Sequence, residues 1–130
     1  MVDLYTQYYH EKNPDKLLSL ISKEISGFGT GPDEIVLSAA ELKEQVRRDM
    51  AQSGTLKVSF DIMKLDGVMP CAWVTALCRF SAGIGDENVT ISGRMTFVLR
   101  NTGSRWVFEQ VHFSMPFGPQ LPGQSFPGSA

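Results

Sequence analysis

Two cysteines and two histidines in 130 residues leave little to staple the chain or hold a metal. Cys71 and Cys78 lie in one apparent strand, where a rise of roughly 3.3 Å per residue separates them by about 23 Å, so they cannot close a disulfide within one chain. They read as buried thiols, which fits a reducing cytoplasm. His10 and His112 fall in distant elements, and neither an HExxH nor a CxxC spacing occurs; no metal and no cofactor is expected. Long apolar runs are missing too, as is a basic amino-terminal region followed by an apolar stretch. The protein is therefore expected to be cytoplasmic, with no membrane partner. No charge sign dominates: 12 Lys and Arg against 14 Asp and Glu give a net charge of -2. That leaves no footprint for phosphate backbones and excludes nucleic acid as an expected partner. Charge is absent altogether after Glu109, in a tail that also holds Pro116, Pro119, Pro122 and Pro127.

What is present suffices for one domain over residues 1–130, with residues 116–130 as a Pro-rich carboxy-terminal extension. Leu4, Tyr5, Tyr8 and Tyr9 recur at helical spacing between Val2 and His10. Asn13-Pro14 restarts a helix, with Asn as cap, Pro at the first turn, and Leu17, Leu18 and Ile21 as the apolar stripe. Gly27, Gly29 and Gly31 followed by Pro32 predict an irregular strand or bulged loop. Ser38 and Glu41 form a capping box, with Leu37 and Leu42 at its staple positions, and Leu42, Val46 and Met50 predict a one-faced helix ending before Gly54. Four strands follow: Thr55 to Leu65, Met69 to Ala82, Asn88 to Arg100 and Arg105 to Met115, with Asp66-Gly67 as the first hairpin turn. Helices followed by hairpin-linked strands predict an α+β fold with helices on one face of an antiparallel sheet.

The helix pair broken at Lys12-Asn13-Pro14-Asp15, then Phe28-Gly29-Thr30-Gly31, the capped helix from Ser38, the strands ending at Arg105-Trp106 and His112-Phe113-Ser114, and the closing Gly123-Gln124-Ser125-Phe126-Pro127 carry a resemblance. Over nearly the whole chain the sequence resembles the SnoaL-like branch of the nuclear transport factor-like, or ketosteroid isomerase-like, superfamily. The resemblance implies a cone: a curved antiparallel sheet wrapped around amino-terminal helices, an apolar pocket inside, and frequent dimerisation through the sheet's outer face. Function does not follow from such a fold. Ketosteroid isomerases use a first-helix tyrosine, a protonated aspartate and an aspartate base. Tyr8 falls near the tyrosine position, whereas the aspartate positions fall on Gly27 and Met95. The isomerase carboxylates are thus missing from the matched positions.

Other candidates are weighed on the residues themselves. The glycines at 27, 29 and 31 do not make a dinucleotide fingerprint, and Ser125 lacks the GxSxG frame of a nucleophile elbow. Arg94 shares a strand face with Thr90, Ser92 and Thr96; facing a pocket it would bind a carboxylate, and facing outward it would be a solvated or interface arginine. Pocket arginines of the similar kinase association domains imply the first. His112 and Ser114 share a face and could orient a ligand's oxygen or bond neighbouring strands. Asp33, beside Glu34, is a candidate base or a surface turn residue, and His112 is the other catalytic candidate. The candidate ligand-binding set is Tyr8, Phe28, Arg94, Thr96, His112 and Ser114.

Both faces of the second long strand carry large apolar groups, with Val74 and Cys78 on one and Trp73 and Leu77 on the other, so a homodimer covering the second face is expected. The leading expectation is a non-catalytic pocket for a small apolar or carboxylate-bearing organic ligand. Alternatives are an isomerase, cyclase or hydrolase acting on a polyketide-like or steroid-like substrate, and a dimerising sensor or interaction module. The tail from Phe117 to Phe126 is expected to pack along the sheet or across the partner, with Gly128 to Ala130 frayed.

Overall fold

A computed structural model describes residues 1–128. The elements run α1 (Val2–His10), α2 (Pro14–Leu18), β1 (Ile21–Phe28), β2 (Ile35–Val36), α3 (Ala39–Gln52), β3 (Leu56–Val68), β4 (Cys71–Ile84), β5 (Glu87–Asn101) and β6 (Trp106–Ser114). No helix among the described residues is long and apolar enough to cross a membrane.

The helix starts follow their capping chemistry. Asn13 accepts from the Lys16 N–H at 3.0 Å ahead of Pro14, which supplies no N–H of its own. The Ser38 Oγ accepts from the Glu41 N–H at 3.2 Å, while the Glu41 carboxylate accepts from the N–H of Leu37 at 2.7 Å, one residue before the expected Ser38. Leu37 is exposed, so the expected staple with Leu42 does not form. Leu42, Val46 and Met50 are buried, as their spacing requires. The second helix is shorter than its apolar stripe suggests: it ends at Leu18, and Ile21 opens β1.

The expected cone of curved antiparallel sheet is corrected by the strand order. The six-stranded sheet runs β2-β1-β6-β5-β4-β3, and β2 and β3 stand as open edges that do not meet. It is also mixed, because β1 pairs with β6 in parallel while β3 to β6 are joined by antiparallel hairpins. The cause is connectivity. The chain leaves β1, passes β2 and α3, and returns through three hairpins, so β6 arrives beside β1 running in the same direction. The result is an open α+β layer with the helices on one face, not a sheet wrapped around them.

The expected Asp66-Gly67 turn is corrected as well. The strands pair through Val68 and Cys71, and the turn falls at Met69 and Pro70, whose peptide bond is cis. A bulge between Ile62 and Lys64 shifts the register of β3, which breaks the simple alternation beyond Phe60.

The core lies between the helices and the inner sheet face. Tyr5 stands at its centre, edge-on to Phe60, Phe97 and Phe108 with centroids 5.5 to 6.0 Å away. Phe97 and Phe108 are completely buried, and full burial of such a side chain contributes about 1.5 to 3 kcal/mol. β1 approaches β6 closely at Gly27, where a β-carbon would overlap the Val111 carbonyl. The tail does not pack along the sheet within the chain: Phe117, Leu121 and Phe126 are all exposed. Of the segment expected to fray, Ser129 and Ala130 lie outside the described residues.

Candidate functional site

A cavity of about 320 Å³ opens between α3, the loop after β1 and the inner face of β4 to β6. Its walls are largely apolar, supplied by Val46, Phe80, Ile91, Met95 and Phe113 among others. The inward alternation of β5 delivers Ile91 and Met95, and the apolar stripe of α3 delivers Leu42 and Val46.

Polar chemistry enters this wall from two helices. The Tyr9 hydroxyl donates to Asp49 Oδ2 at 3.2 Å. Asp49 lies on the cavity side of α3, one turn beyond Gln45 and seven residues beyond Leu42, positions that share a helix face. Burial, then the charge of Glu34, push the Asp49 carboxyl up to about 6, against a smaller lowering by the Tyr9 hydrogen bond. Burial first, then the Asp49 charge, raise the phenols of Tyr9 and Tyr5 above their ordinary range, so both remain neutral donors. Glu34 is already engaged, accepting from the Gly31 N–H at 2.8 Å and from Arg48 Nη2 at 3.2 Å. A neutral phenol hydrogen-bonded to a carboxylate near neutrality can position a ligand's polar group or exchange a proton with it.

The residues singled out from the sequence are distributed differently. Tyr8 is half-buried, with the Lys16 ammonium 5.7 Å from its ring centroid, and its neighbour Tyr9 is the tyrosine that reaches the cavity. Phe28 touches the rim of the cavity and lies 5.4 Å from the His112 ring. Arg94, Thr96 and His112 are exposed on the outer sheet face, where Thr96 sits opposite His112 and Arg94 opposite the half-buried Ser114. The Arg94 guanidinium reaches the Met115 carbonyl at 3.5 Å. Asp33 is outside the cavity, its carboxylate accepting from Arg48 Nη1 at 2.6 Å. That hydrogen bond holds it below the usual carboxylate range. Gly27 and Met95 both border the cavity.

Sequence reasoning passed over Tyr9 as a site residue and Asp49 altogether. A usable signal was present for the second: a carboxylate seven positions after Leu42 interrupts the apolar face of an otherwise one-faced helix.

Among curated proteins, none matches the sequence significantly. Solved structures do match in fold. A candidate dehydratase of the NTF2-like family from Streptomyces avermitilis superposes with a TM-score of 0.79 at 17% identity, covering 89% of this chain and 91% of that one. A candidate scytalone dehydratase from Novosphingobium aromaticivorans gives 0.75 at 13% identity, with 84% and 74% covered. A ketosteroid isomerase-like protein from Erwinia carotovora atroseptica gives 0.75 at 11% identity, with 89% and 91% covered. At such identities the likeness concerns the fold alone. The family model described as SnoaL-like domain matches residues 1–118, and the chain belongs to this SnoaL-like family.

Proposed function

We propose that the chain binds a small, mainly apolar organic molecule in the cavity between α3 and the sheet, with the Tyr9–Asp49 pair as its polar anchor. The observation that carries this reading is the contrast within one wall: apolar side chains on most sides, and a single phenol–carboxylate hydrogen bond at 3.2 Å. Cavities of a few hundred Å³ lined in this way, with few oriented polar groups, suit small ligands. A second reading, acid–base catalysis on such a molecule, is favoured by the Asp49 carboxyl lying at about 6, where proton donors and acceptors work best near neutral pH. The dehydratase and isomerase-like names of the similar structures agree with that class of chemistry.

The binding reading is tested with the neutral fluorophore N-phenyl-1-naphthylamine. Saturable, one-to-one fluorescence enhancement is expected, weakened at least tenfold by Ala82→Phe, which places a ring in the cavity wall at a partly exposed site. Absence of saturable binding, or binding indifferent to Ala82→Phe, would sink the reading.

A further inference from the structure

The charged groups of this cavity all have one sign. Its lining includes Asp49 and Glu34 and contains no lysine, arginine or histidine. Arg48, next to Asp49 in the chain, is not part of the lining and is taken up by Asp33 at 2.6 Å and Glu34 at 3.2 Å. Lys12 donates to the Ser53 carbonyl. Asp49 therefore accepts from the Tyr9 hydroxyl and is paired with no cation among the described residues. Glu34 is satisfied by Gly31 and Arg48, which leaves Asp49 as the carboxylate with unused acceptor capacity, having a second oxygen and free lone pairs.

Aromatic rings line the same cavity. Tyr5, Tyr9, Phe80 and Phe113 all line the same space, with Tyr9 and Phe80 edge-to-face at 5.5 Å and Phe80 and Phe113 at 4.9 Å. Ring faces are negative and attract cations, most strongly where water is scarce. A half-buried carboxylate without a counter-ion, bonded to one phenol and sharing an apolar cavity with further aromatic rings, is complementary to an ammonium group carried on an apolar body. It is not complementary to a carboxylate, which would meet only negative charge.

We infer that the natural ligand of the cavity is an organic amine, its protonated nitrogen seated between Asp49 and the surrounding rings and its apolar part against Val46, Ile91 and Met95. This inference rests on the binding reading above and narrows it to one ligand class. The groups facing Asp49 are Tyr5 and Tyr9 from α1, Glu34 from the loop and Arg48 from its own helix. Burial, then the Glu34 charge, push the Asp49 carboxyl itself up to about 6. Protonation of Asp49 would remove the partner of the ammonium, so amine affinity falls as pH drops below 6.

The experiment titrates the full chain by calorimetry and protein-observed NMR with three probes of equal shape: 4-phenylbutylamine, 4-phenylbutanol and 4-phenylbutanoate. The amine is expected to bind about tenfold or more tighter than the alcohol at pH 7.5, and the acid weakest. Lowering the pH to 5 should weaken the amine by about tenfold and leave the alcohol nearly unchanged. Asp49→Asn should bring amine and alcohol together, while Arg94→Ala, on the outer face, should leave the order intact. Equal or tighter binding of the alcohol or acid by the native chain, or an amine preference that survives Asp49→Asn, overturns the inference while the cavity remains a binding site. Failure of all three probes overturns the binding reading with it.

Discussion

Asp49 occupies the face of α3 that Leu42 and Val46 turn towards the cavity, and a charge held there works against folding. Burial raises its carboxyl to about 6, whereas in the unfolded chain it titrates near the ordinary value of about 3.9. Between those values the folded protein holds more protons than the unfolded one, so stability falls as pH rises through this window and levels off above 6. Asp49→Asn keeps the shape and an acceptor for the Tyr9 hydroxyl but cannot ionise. Because the side chain retains contact with water, the gain is discounted to about 1 kcal/mol. Urea unfolding at pH 8 should therefore show Asp49→Asn more stable than the parent, with the difference closing below pH 4. A variant equally destabilised at both pH values would contradict this account of the carboxyl. At Cys78 burial instead moves a group away from neutrality: its thiol is pushed up to about 11, which leaves little thiolate at neutral pH.

At the scale of elements, the cavity depends on how β1 lies against β6. The parallel pair meets at Gly27 and Val111, and Gly27 also borders the cavity. A methyl group there would collide with the Val111 carbonyl, and neither backbone can yield without displacing its neighbours in the sheet. Gly27→Ala is expected to cost about 2 kcal/mol or more in urea unfolding. An unchanged midpoint would mean that the two strands are not held this closely. This pairing also marks where local sequence signals stop. Caps and periodicity are properties of a few adjacent residues, and Asn13, Ser38 and the Leu42–Val46–Met50 stripe announce their helices. The direction of β1 relative to β6 is settled by contacts between residues more than eighty positions apart, and the glycines at 27, 29 and 31 signal only an irregular strand. The β3–β4 turn fails differently. Asp66-Gly67 has favourable turn chemistry, but extending the ladder to Val68 and Cys71 makes further backbone hydrogen bonds and displaces the turn to Met69-Pro70. The site was legible only in part, because α1 offers adjacent tyrosines and the packing against Phe80 and Asp49 selects Tyr9.

For the whole molecule, the outer sheet face is where large apolar side chains of the central strands lie exposed. Register places Asp61, Leu77, Arg94 and Ser114 in one row across β3 to β6, and Asp66, Trp73, Val98 and Gln110 in another. Trp73 and Leu77 are 39% and 46% exposed within these rows, Leu77 between Asp61 and Arg94 and Trp73 between Asp66 and Val98. Such a face would suit a second copy related by a two-fold axis, with Asp61 and Asp66 set against Arg94 while the apolar centres meet. The charge-free tail leaves the sheet beside the same rows, where Arg94 holds the Met115 carbonyl, and its exposed Phe117 and Leu121 lack a cover within the chain. We therefore propose that the protein pairs through this face. Sedimentation equilibrium is expected to give about twice the 14.4 kDa chain mass. Trp73→Glu should return it to the mass of one chain with circular dichroism unchanged, since this side chain lies outside the core that Phe97 and Phe108 fill. A single-chain mass for the native protein would remove the outer face as an interface. A dimer indifferent to Trp73→Glu would move the contact elsewhere, for which the exposed β3–β4 tip around Leu65, Val68 and Met69 is the next surface to alter.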